Sequence, residues 1–275
     1  MNIISPIKFF FVFFFNFFGF IKLVKVTLLI NKKCIIFNKN NTCYCVKNKF
    51  IFVNNPFFKD KKTISISPAG YYGFYIMGVC AYIKDNYDTS KYVFSGASAG
   101  AWNSLFMVLN TKSEIIKNII VKNEIYKNKN ISQIQKCIKQ NVLKNFNTEN
   151  FDLNRLFIGV TVFKQTNVYT DFENMDDVLN CCLASSHIPF ITGYLLHCYK
   201  NKYVFDGGFS ENPYVNINEI VLHIHPNIWG QNEKIGFNLF KKDFFNFEKL
   251  YEKGYEDTVK YGKKTLDKIF INNTE

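Results

Sequence analysis

The chain lacks the residue patterns that mark metal-binding, nucleotide-binding and repeat proteins. Its eight cysteines include no paired Cys-x-x-Cys motifs, which argues against a metal site. There is no P-loop, no dinucleotide fingerprint and no internal repeat. We therefore predict that the protein uses no cofactor and no metal ion. The unpaired cysteines are typical of free thiols in a reducing, cytoplasmic compartment.

Acidic residues are almost missing from the first part of the chain. Residues 1–62 hold eleven lysines and one acid, Asp60, so +10 of the net charge of +12 lies there. The apolar run Phe9–Ile21 has thirteen residues, fewer than the roughly 18 that a transmembrane helix needs. Lysines beside such a run favour an anionic lipid surface over nucleic acid. We predict a membrane anchor or signal segment over 1–62 and a globular domain over 63–275; the alternative is a leader that only reflects compositional bias.

A Gly-rich pentapeptide follows a short apolar run. Tyr92-Val93-Phe94 predicts the end of a buried strand, and residues 101–107 have helical spacing. Between them, Gly96-Ala97-Ser98-Ala99-Gly100 matches the G-x-S-x-G pattern of a nucleophile elbow, where small residues permit a sharp strand-to-helix turn. Ser98 is therefore the candidate nucleophile, and the helix that follows points its amino end toward an oxyanion.

Two further turns follow predicted strands. Upstream, Ile64–Ser67 alternates like a strand and breaks at Pro68–Gly73, after which a helical pattern resumes. Downstream, Lys202–Phe205 leads into Asp206-Gly207-Gly208. As an isolated pair, Asp-Gly is more typical of a hairpin turn. A serine nucleophile needs a base within hydrogen-bond reach, however, and Asp206 is the acid that follows a buried strand and precedes two glycines.

In this order the three turns resemble the patatin-like phospholipase family, which combines a Gly-rich oxyanion loop, a G-x-S-x-G serine and an Asp-Gly-Gly aspartate. The segment Leu183–Phe190 is similar to the family's Ala-Ser-Ser segment, and the resemblance covers about residues 63 to 215. It implies a three-layer α/β/α domain with a mostly parallel central sheet. It also implies a lipid acyl hydrolase, of phospholipase A or glycerolipid lipase type, with a Ser98–Asp206 dyad. The remaining implied site residues are Ala69, Gly70 and Tyr71 in the oxyanion hole, and Gly73, Gly96, Gly100, Gly207 and Gly208 in the motifs.

The oxyanion loop departs from the family's pattern at two positions. Pro68 replaces a glycine and has no N–H to donate, and Tyr72 replaces a basic residue. The loss of one oxyanion donor costs about a hundred-fold or more in turnover. A catalytically impaired, membrane-associated scaffold of the same fold is therefore one alternative to the hydrolase.

A second alternative is a Ser-His-Asp esterase of the α/β-hydrolase type. Ser98, Asp206 and either His223 or His225 follow one another in the required order. The alternating pattern over 219–225 instead predicts that both histidines lie on one face of a strand. A triad histidine is normally carried by a loop, so we interpret this pair as polar strand residues.

The rest of the sequence predicts the other elements of an α/β domain. These are one or two surface helices over 114–145 that form part of a lid, a buried strand over 155–163, a helix over 175–184, and a closing amphipathic helix over 247–270.

Overall fold

The described part of the chain folds around one mixed β-sheet. The computed structural model describes residues 35–37, 43–45, 61–122, 126, 129–162, 165–215, 219–231 and 246–271. The strands are β1 (Ile35–Phe37), β2 (Cys43–Cys45), β3 (Lys62–Ile66), β4 (Tyr92–Ala97), β5 (Leu156–Val162), β6 (Gln165–Tyr169), β7 (His197–Tyr199), β8 (Lys202–Phe205) and β9 (Ile220–Ile224). Their order is β2-β1-β6-β5-β4-β3-β9, and the β7–β8 hairpin joins the sheet through β5.

The centre of the sheet is parallel. β5, β4, β3 and β9 run in the same direction, and every residue of β4 is buried. Strands that are buried on both faces are typical of a sheet covered by helices on each side. β6, β7 and β8 add antiparallel pairings at one side of this centre. The predicted three-layer α/β/α fold with a mostly parallel central sheet is confirmed.

Helices connect the strands and follow the last of them. They are α1 (Gly73–Asn86), α2 (Ala99–Met107), α3 (Ser113–Ile116), α4 (Ile131–Asn145), α5 (Met175–Ser185), α6 (Phe247–Asp257) and α7 (Lys263–Phe270). A π-helical turn, Lys117–Val121, extends α3. Within the described ranges, none of the helices combines the length and the apolar character that crossing a membrane requires.

α1 and α6 cross at very short range because each places a glycine at the contact. A Cβ atom at Gly78 would lie 2.0 Å from the backbone oxygen of Tyr251, and one at Gly254 would lie 2.0 Å from that of Tyr75. Neither position tolerates a side chain without displacing the other helix. The contact holds the C-terminal helices against the helix that follows the predicted oxyanion loop.

The closing helix predicted over 247–270 is interrupted at its centre. Residues Thr258–Gly262 form a π-helical turn between α6 and α7. The indole of Trp229 packs against Gly262, where a Cβ atom would lie 2.6 Å from the ring. Its Nε1–H donates to Thr258 Oγ1 over 2.9 Å, and the same hydroxyl donates to the backbone oxygen of Gly254. A side chain inserted in this way is a known cause of helix irregularity.

The N-terminal part of the chain is only sparsely described. The apolar run Phe9–Ile21 lies outside the described residues, so its predicted role as an anchor or signal stays a prediction. β1 lies before residue 63, the predicted start of the globular domain, and pairs in parallel with β6. The boundary itself also stays a prediction.

Candidate active site

The carboxyl ends of β4 and β8 meet beside β5. β6 occupies one edge of β5 over Ile158–Val162, so β4 and β8 share the opposite edge. β4 runs parallel to β5, whereas β8 runs antiparallel and pairs with the last residues of β5. The two strands therefore end toward each other, and the residues that directly follow them, Ser98 and Asp206, are brought face to face.

Ser98 occupies a sharp turn between β4 and α2. Its backbone has φ 54° and ψ −125°, a conformation that side chains other than glycine seldom adopt. The turn is tight because Cβ atoms at Gly96 and Gly100 would lie 2.1 Å from the oxygen of Gly100 and 2.0 Å from that of Ile66, respectively. At both predicted motif positions, the neighbouring backbone is thus too close for a residue with a side chain. The Ser98 side chain is left at the amino end of α2.

Asp206 accepts a hydrogen bond directly from Ser98, the predicted nucleophile. Ser98 Oγ donates to Asp206 Oδ2 over 2.6 Å, and the backbone N–H of Gly208 donates to Asp206 Oδ1 over 2.6 Å. Both Ser98 and Asp206 are buried. Burial raises the pKa of Asp206 to about 6, and the hydrogen bonds from Ser98 and Gly208 oppose that rise. The carboxylate is therefore ionised at neutral pH and is a stronger base than an exposed aspartate.

The backbone of Asp206 is held from two sides. Its N–H donates to the backbone oxygen of His187 over 2.7 Å, and its own carbonyl accepts a hydrogen bond from Thr161 Oγ1 over 2.9 Å. The next residue, Gly207, packs so closely that a Cβ atom there would lie 2.3 Å from the oxygen of Gly159. The Asp-Gly-Gly turn is thus fitted against β5 and is not a hairpin turn.

The predicted oxyanion loop lies beside the elbow. Gly70–Tyr72 form a single 3₁₀ turn, and Gly70 has φ 53°, which favours glycine. Gly70, Tyr71 and Gly73 line the same cavity as Ser98, whereas Ala69 is buried and lies outside that lining. Gly73 also packs closely on Ala99.

The cavity offers two backbone donors next to Ser98. The N–H groups of Gly70 and Ala99 make no hydrogen bond to any acceptor in the described residues, and both residues line the cavity. Ala99 is the first residue of α2, so its N–H has no partner within the helix. Ala99 is not among the oxyanion residues that the sequence resemblance implies. The signal that identifies it is its position immediately after the elbow serine, where hydrolases of this geometry place a donor.

Pro68 and Tyr72 occupy different surroundings. Pro68 packs on the Asp-Gly-Gly turn, because a Cβ atom at Gly208 would lie 3.0 Å from Pro68 Cβ. Tyr72 is half-buried and packs against the hydrophobic core. Pro68 thus adds a rigid contact beside the base, although it contributes no N–H.

Ser185 contacts the elbow from the end of α5. The backbone N–H of Ser98 donates to Ser185 Oγ over 2.8 Å, and that hydroxyl donates to the backbone oxygen of Gly159 over 2.7 Å. Ser185 belongs to the Ala-Ser-Ser segment, but its sequence pattern predicts no role for it. Its contact depends on a backbone oxygen of β5, which no local sequence pattern indicates.

An apolar cavity opens from the Ser98 side chain. Its volume is about 70 Å³, and its walls are mostly aliphatic and aromatic. α4, which belongs to the predicted lid region, supplies Ile131, Ile134 and Ile138, and α2 supplies Trp102. Polar contacts join these walls to the Ala-Ser-Ser segment: Trp102 Nε1 donates to Ser186 Oγ over 3.2 Å, and Gln135 Nε2 donates to the oxygen of Ser186 over 3.1 Å.

The two histidines of the triad alternative lie elsewhere. His223 is on β9, which β3 separates from β4. Its Nδ1 lies 2.7 Å from Ser65 Oγ, and its ring stacks on that of His225 at 5.5 Å. Among the described residues, the hydrogen bonds to the Asp206 carboxylate come from Ser98 and Gly208.

No protein-family model matches the chain, and no curated protein matches it. Among solved structures, VipD from Legionella pneumophila matches with a TM-score of 0.35 and 12% sequence identity, over 65% of this chain and 49% of VipD. The chain therefore spans about half the length of VipD.

Proposed function

We propose that this protein is a lipid acyl hydrolase that cleaves carboxylic esters of phospholipids or neutral glycerolipids through a Ser98–Asp206 dyad. The observation that carries the proposal is the direct hydrogen bond from Ser98 Oγ to Asp206 Oδ2, at a strained elbow that faces an apolar cavity. A serine paired with a buried carboxylate is suited to nucleophilic acyl transfer. An apolar cavity is suited to the acyl chain.

The reaction follows from this arrangement. Ser98 Oγ attacks the ester carbonyl carbon as Asp206 takes the hydroxyl proton, which gives a tetrahedral oxyanion. The N–H groups of Gly70 and Ala99, together with the amino end of α2, stabilise its negative charge. When the intermediate collapses, the C–O bond to the alcohol breaks and the proton on Asp206 passes to the leaving alkoxide. Water then attacks the acyl-enzyme in the same way, and the fatty acid is released.

The decisive experiment is hydrolysis of a panel of lipid esters by the purified full chain, compared with its Ser98→Ala variant. The parent should release fatty acid and react with a fluorophosphonate probe. Ser98→Ala should do neither, whereas Ser90→Ala, at an exposed serine on a loop, should match the parent. Probe labelling that survives in Ser98→Ala would contradict the assignment. Probe labelling of the parent without ester turnover would favour the impaired scaffold.

A further inference from the structure

The segment that joins the Ala-Ser-Ser segment to the base exposes an unusual amount of apolar surface. Of the ten large hydrophobic side chains that are exposed in the described residues, five lie between residues 190 and 203. Tyr194 is 91% exposed, so almost none of its ring contacts the protein. We call these five side chains the apolar patch. It consists of Phe190, Tyr194, Leu195, Leu196 and Tyr203.

Part of the apolar patch lies on one face of the β7–β8 hairpin. Tyr203 is directly opposite Cys198 in the register, and both are exposed. Leu196 precedes Cys198 by two residues, and alternate side chains of a strand point to the same side. On the other face, Val204 and Tyr199 are buried against the domain. The hairpin thus has one face packed on the protein and one apolar face that no described residue covers.

The segment is continuous with the candidate active site at both ends. Ile188 lines the cavity, and the backbone oxygen of His187 accepts the hydrogen bond from the N–H of Asp206. The apolar patch therefore lies on the chain that connects a wall of the acyl cavity to the catalytic base.

The loop that begins at Phe190 exposes apolar side chains although its backbone is strained. Phe190 has φ 63°, which is costly for a bulky residue, and its ring is nevertheless 55% exposed. The turn is held by hydrogen bonds from the N–H of Phe190 to the oxygen of Gly193 and from the N–H of Ile188 to Thr192 Oγ1. Burial of the Phe190 side chain within the domain contributes little to offsetting this strain, because the side chain remains exposed.

The charges in this segment indicate what kind of surface its apolar side chains fit. Residues 186–205 contain two lysines, Lys200 and Lys202, and no acid. Lys200 pairs with Asp177 over 3.0 Å, and its side chain remains 41% exposed. Protein surfaces that insert into the interface of an anionic bilayer typically combine tyrosine, phenylalanine and leucine with lysine.

We propose that the apolar patch is the surface through which this protein docks onto an anionic lipid bilayer. Insertion of Phe190, Tyr194, Leu195 and Leu196 between the headgroups brings the cavity beside Ser98 against the lipid. The benefit of this docking for catalysis rests on the proposed lipid-ester hydrolysis, whereas the docking itself is measurable without any turnover.

The first test places a reporter in the apolar patch of the full chain. In a Ser98→Ala background, which leaves the lipid intact, Tyr194→Trp is compared with Ile115→Trp, a matched control at another exposed apolar position. Vesicles of brominated phosphatidylcholine and phosphatidylglycerol should quench the added fluorescence of Tyr194→Trp and shift it to the blue, but not that of Ile115→Trp. Equal quenching at the two positions, or none at residue 194, overturns the proposal whether or not the protein hydrolyses esters.

The second test removes apolar side chains without touching the cavity. The variant Leu195→Ser/Leu196→Ser should lower hydrolysis of anionic vesicles by about ten-fold or more, since each leucine loses several buried carbons. Turnover of a short soluble ester should be unchanged, and Ile115→Ser should match the parent on both substrates. A parent dimer that this variant converts to a monomer, with vesicle hydrolysis unaltered, would assign the apolar patch to a second copy and overturn the proposal. Quenching at residue 194 without any ester hydrolysis would uphold docking and reject the proposed function.

Discussion

The hydroxyl of Ser185 links the backbone of Ser98 to the central sheet. It accepts a hydrogen bond from the N–H of Ser98 and donates one to the oxygen of Gly159. The N–H of Ser98 is thereby committed to holding the elbow and does not serve the oxyanion. The strained φ of Ser98 persists because α5 and β5 together determine it.

Ser185→Ala should weaken catalysis without removing the nucleophile. The change leaves the buried N–H of Ser98 without its acceptor, which costs about 1–3 kcal/mol. We expect kcat to fall by about ten-fold or more, as for other displaced reactive groups, while fluorophosphonate labelling of Ser98 remains. The measurement is kcat and KM on a soluble ester, together with the midpoint of thermal unfolding.

The matched control for Ser185 is Ser67→Ala. Ser67 is also buried, but its hydroxyl makes no hydrogen bond within the described residues. Its removal should leave kcat unchanged and should not lower the unfolding temperature, because an unpaired buried hydroxyl does not stabilise the fold. If the two variants behave alike, the Ser185 hydroxyl has no positioning role.

Asp206→Asn should remove nearly all turnover, because a neutral amide does not take the Ser98 proton. His223→Ala and His225→Ala should each stay within a few-fold of the parent, since His223 bonds Ser65 and neither histidine contacts the dyad. The measurement is kcat/KM of the three variants on one ester. A loss of about a thousand-fold from either histidine change would select the Ser-His-Asp alternative.

The pairing of Ser98 with Asp206 was predictable from sequence because its signals are local. Small residues flank Ser98, two glycines follow Asp206, and each motif comes directly after an apolar run that forms a strand. The contacts that complete the site are tertiary. Ser185 acts through an oxygen of β5, and the π-helical turn at Thr258 depends on Trp229, which lies 29 residues away. Periodicity carries no information about either contact.

The activity should depend on pH through Asp206. Only the ionised carboxylate accepts the Ser98 proton, and burial raises its pKa to about 6. kcat/KM should therefore rise as the pH increases through about 6 and then level off. An acid limb near pH 4, the ordinary range of an aspartate, would contradict the raised pKa of Asp206.

The same pKa has a consequence for stability. Between an ordinary value of about 3.9 and the folded value, the folded protein keeps a proton that the unfolded chain has released. The contribution of Asp206 to stability is thus present at low pH and is lost as the pH rises through that window. Asp206→Asn should therefore raise the unfolding temperature more at pH 8 than at pH 4. An equal shift at both values would contradict a raised pKa.

The cavity predicts a preference for short acyl chains in solution. Its volume of about 70 Å³ holds about five groups of the size of a water molecule. Turnover of soluble esters should therefore peak at chains of about four to six carbons. Ile134→Ala removes three carbons from the wall on α4 and should shift the optimum to longer chains. Tyr261→Ala, at an exposed residue far along the sequence from the cavity wall, should leave it unchanged. An optimum that is the same in both variants would mean that the acyl chain binds elsewhere.

Membrane attachment of the whole chain should also depend on its N-terminal residues. Residues 1–33 precede β1 and β2 in the sequence, so a chain that lacks them keeps the residues of both strands. We expect the full chain to sediment with anionic vesicles, and the chain that lacks residues 1–33 to sediment less. High salt should weaken binding of the full chain only in part. Screening reduces the contribution of the lysines, but it leaves burial of the apolar run Phe9–Ile21 intact. If the full chain stays in the supernatant at low salt, the leader does not anchor the protein and is a signal segment or an extension without that role.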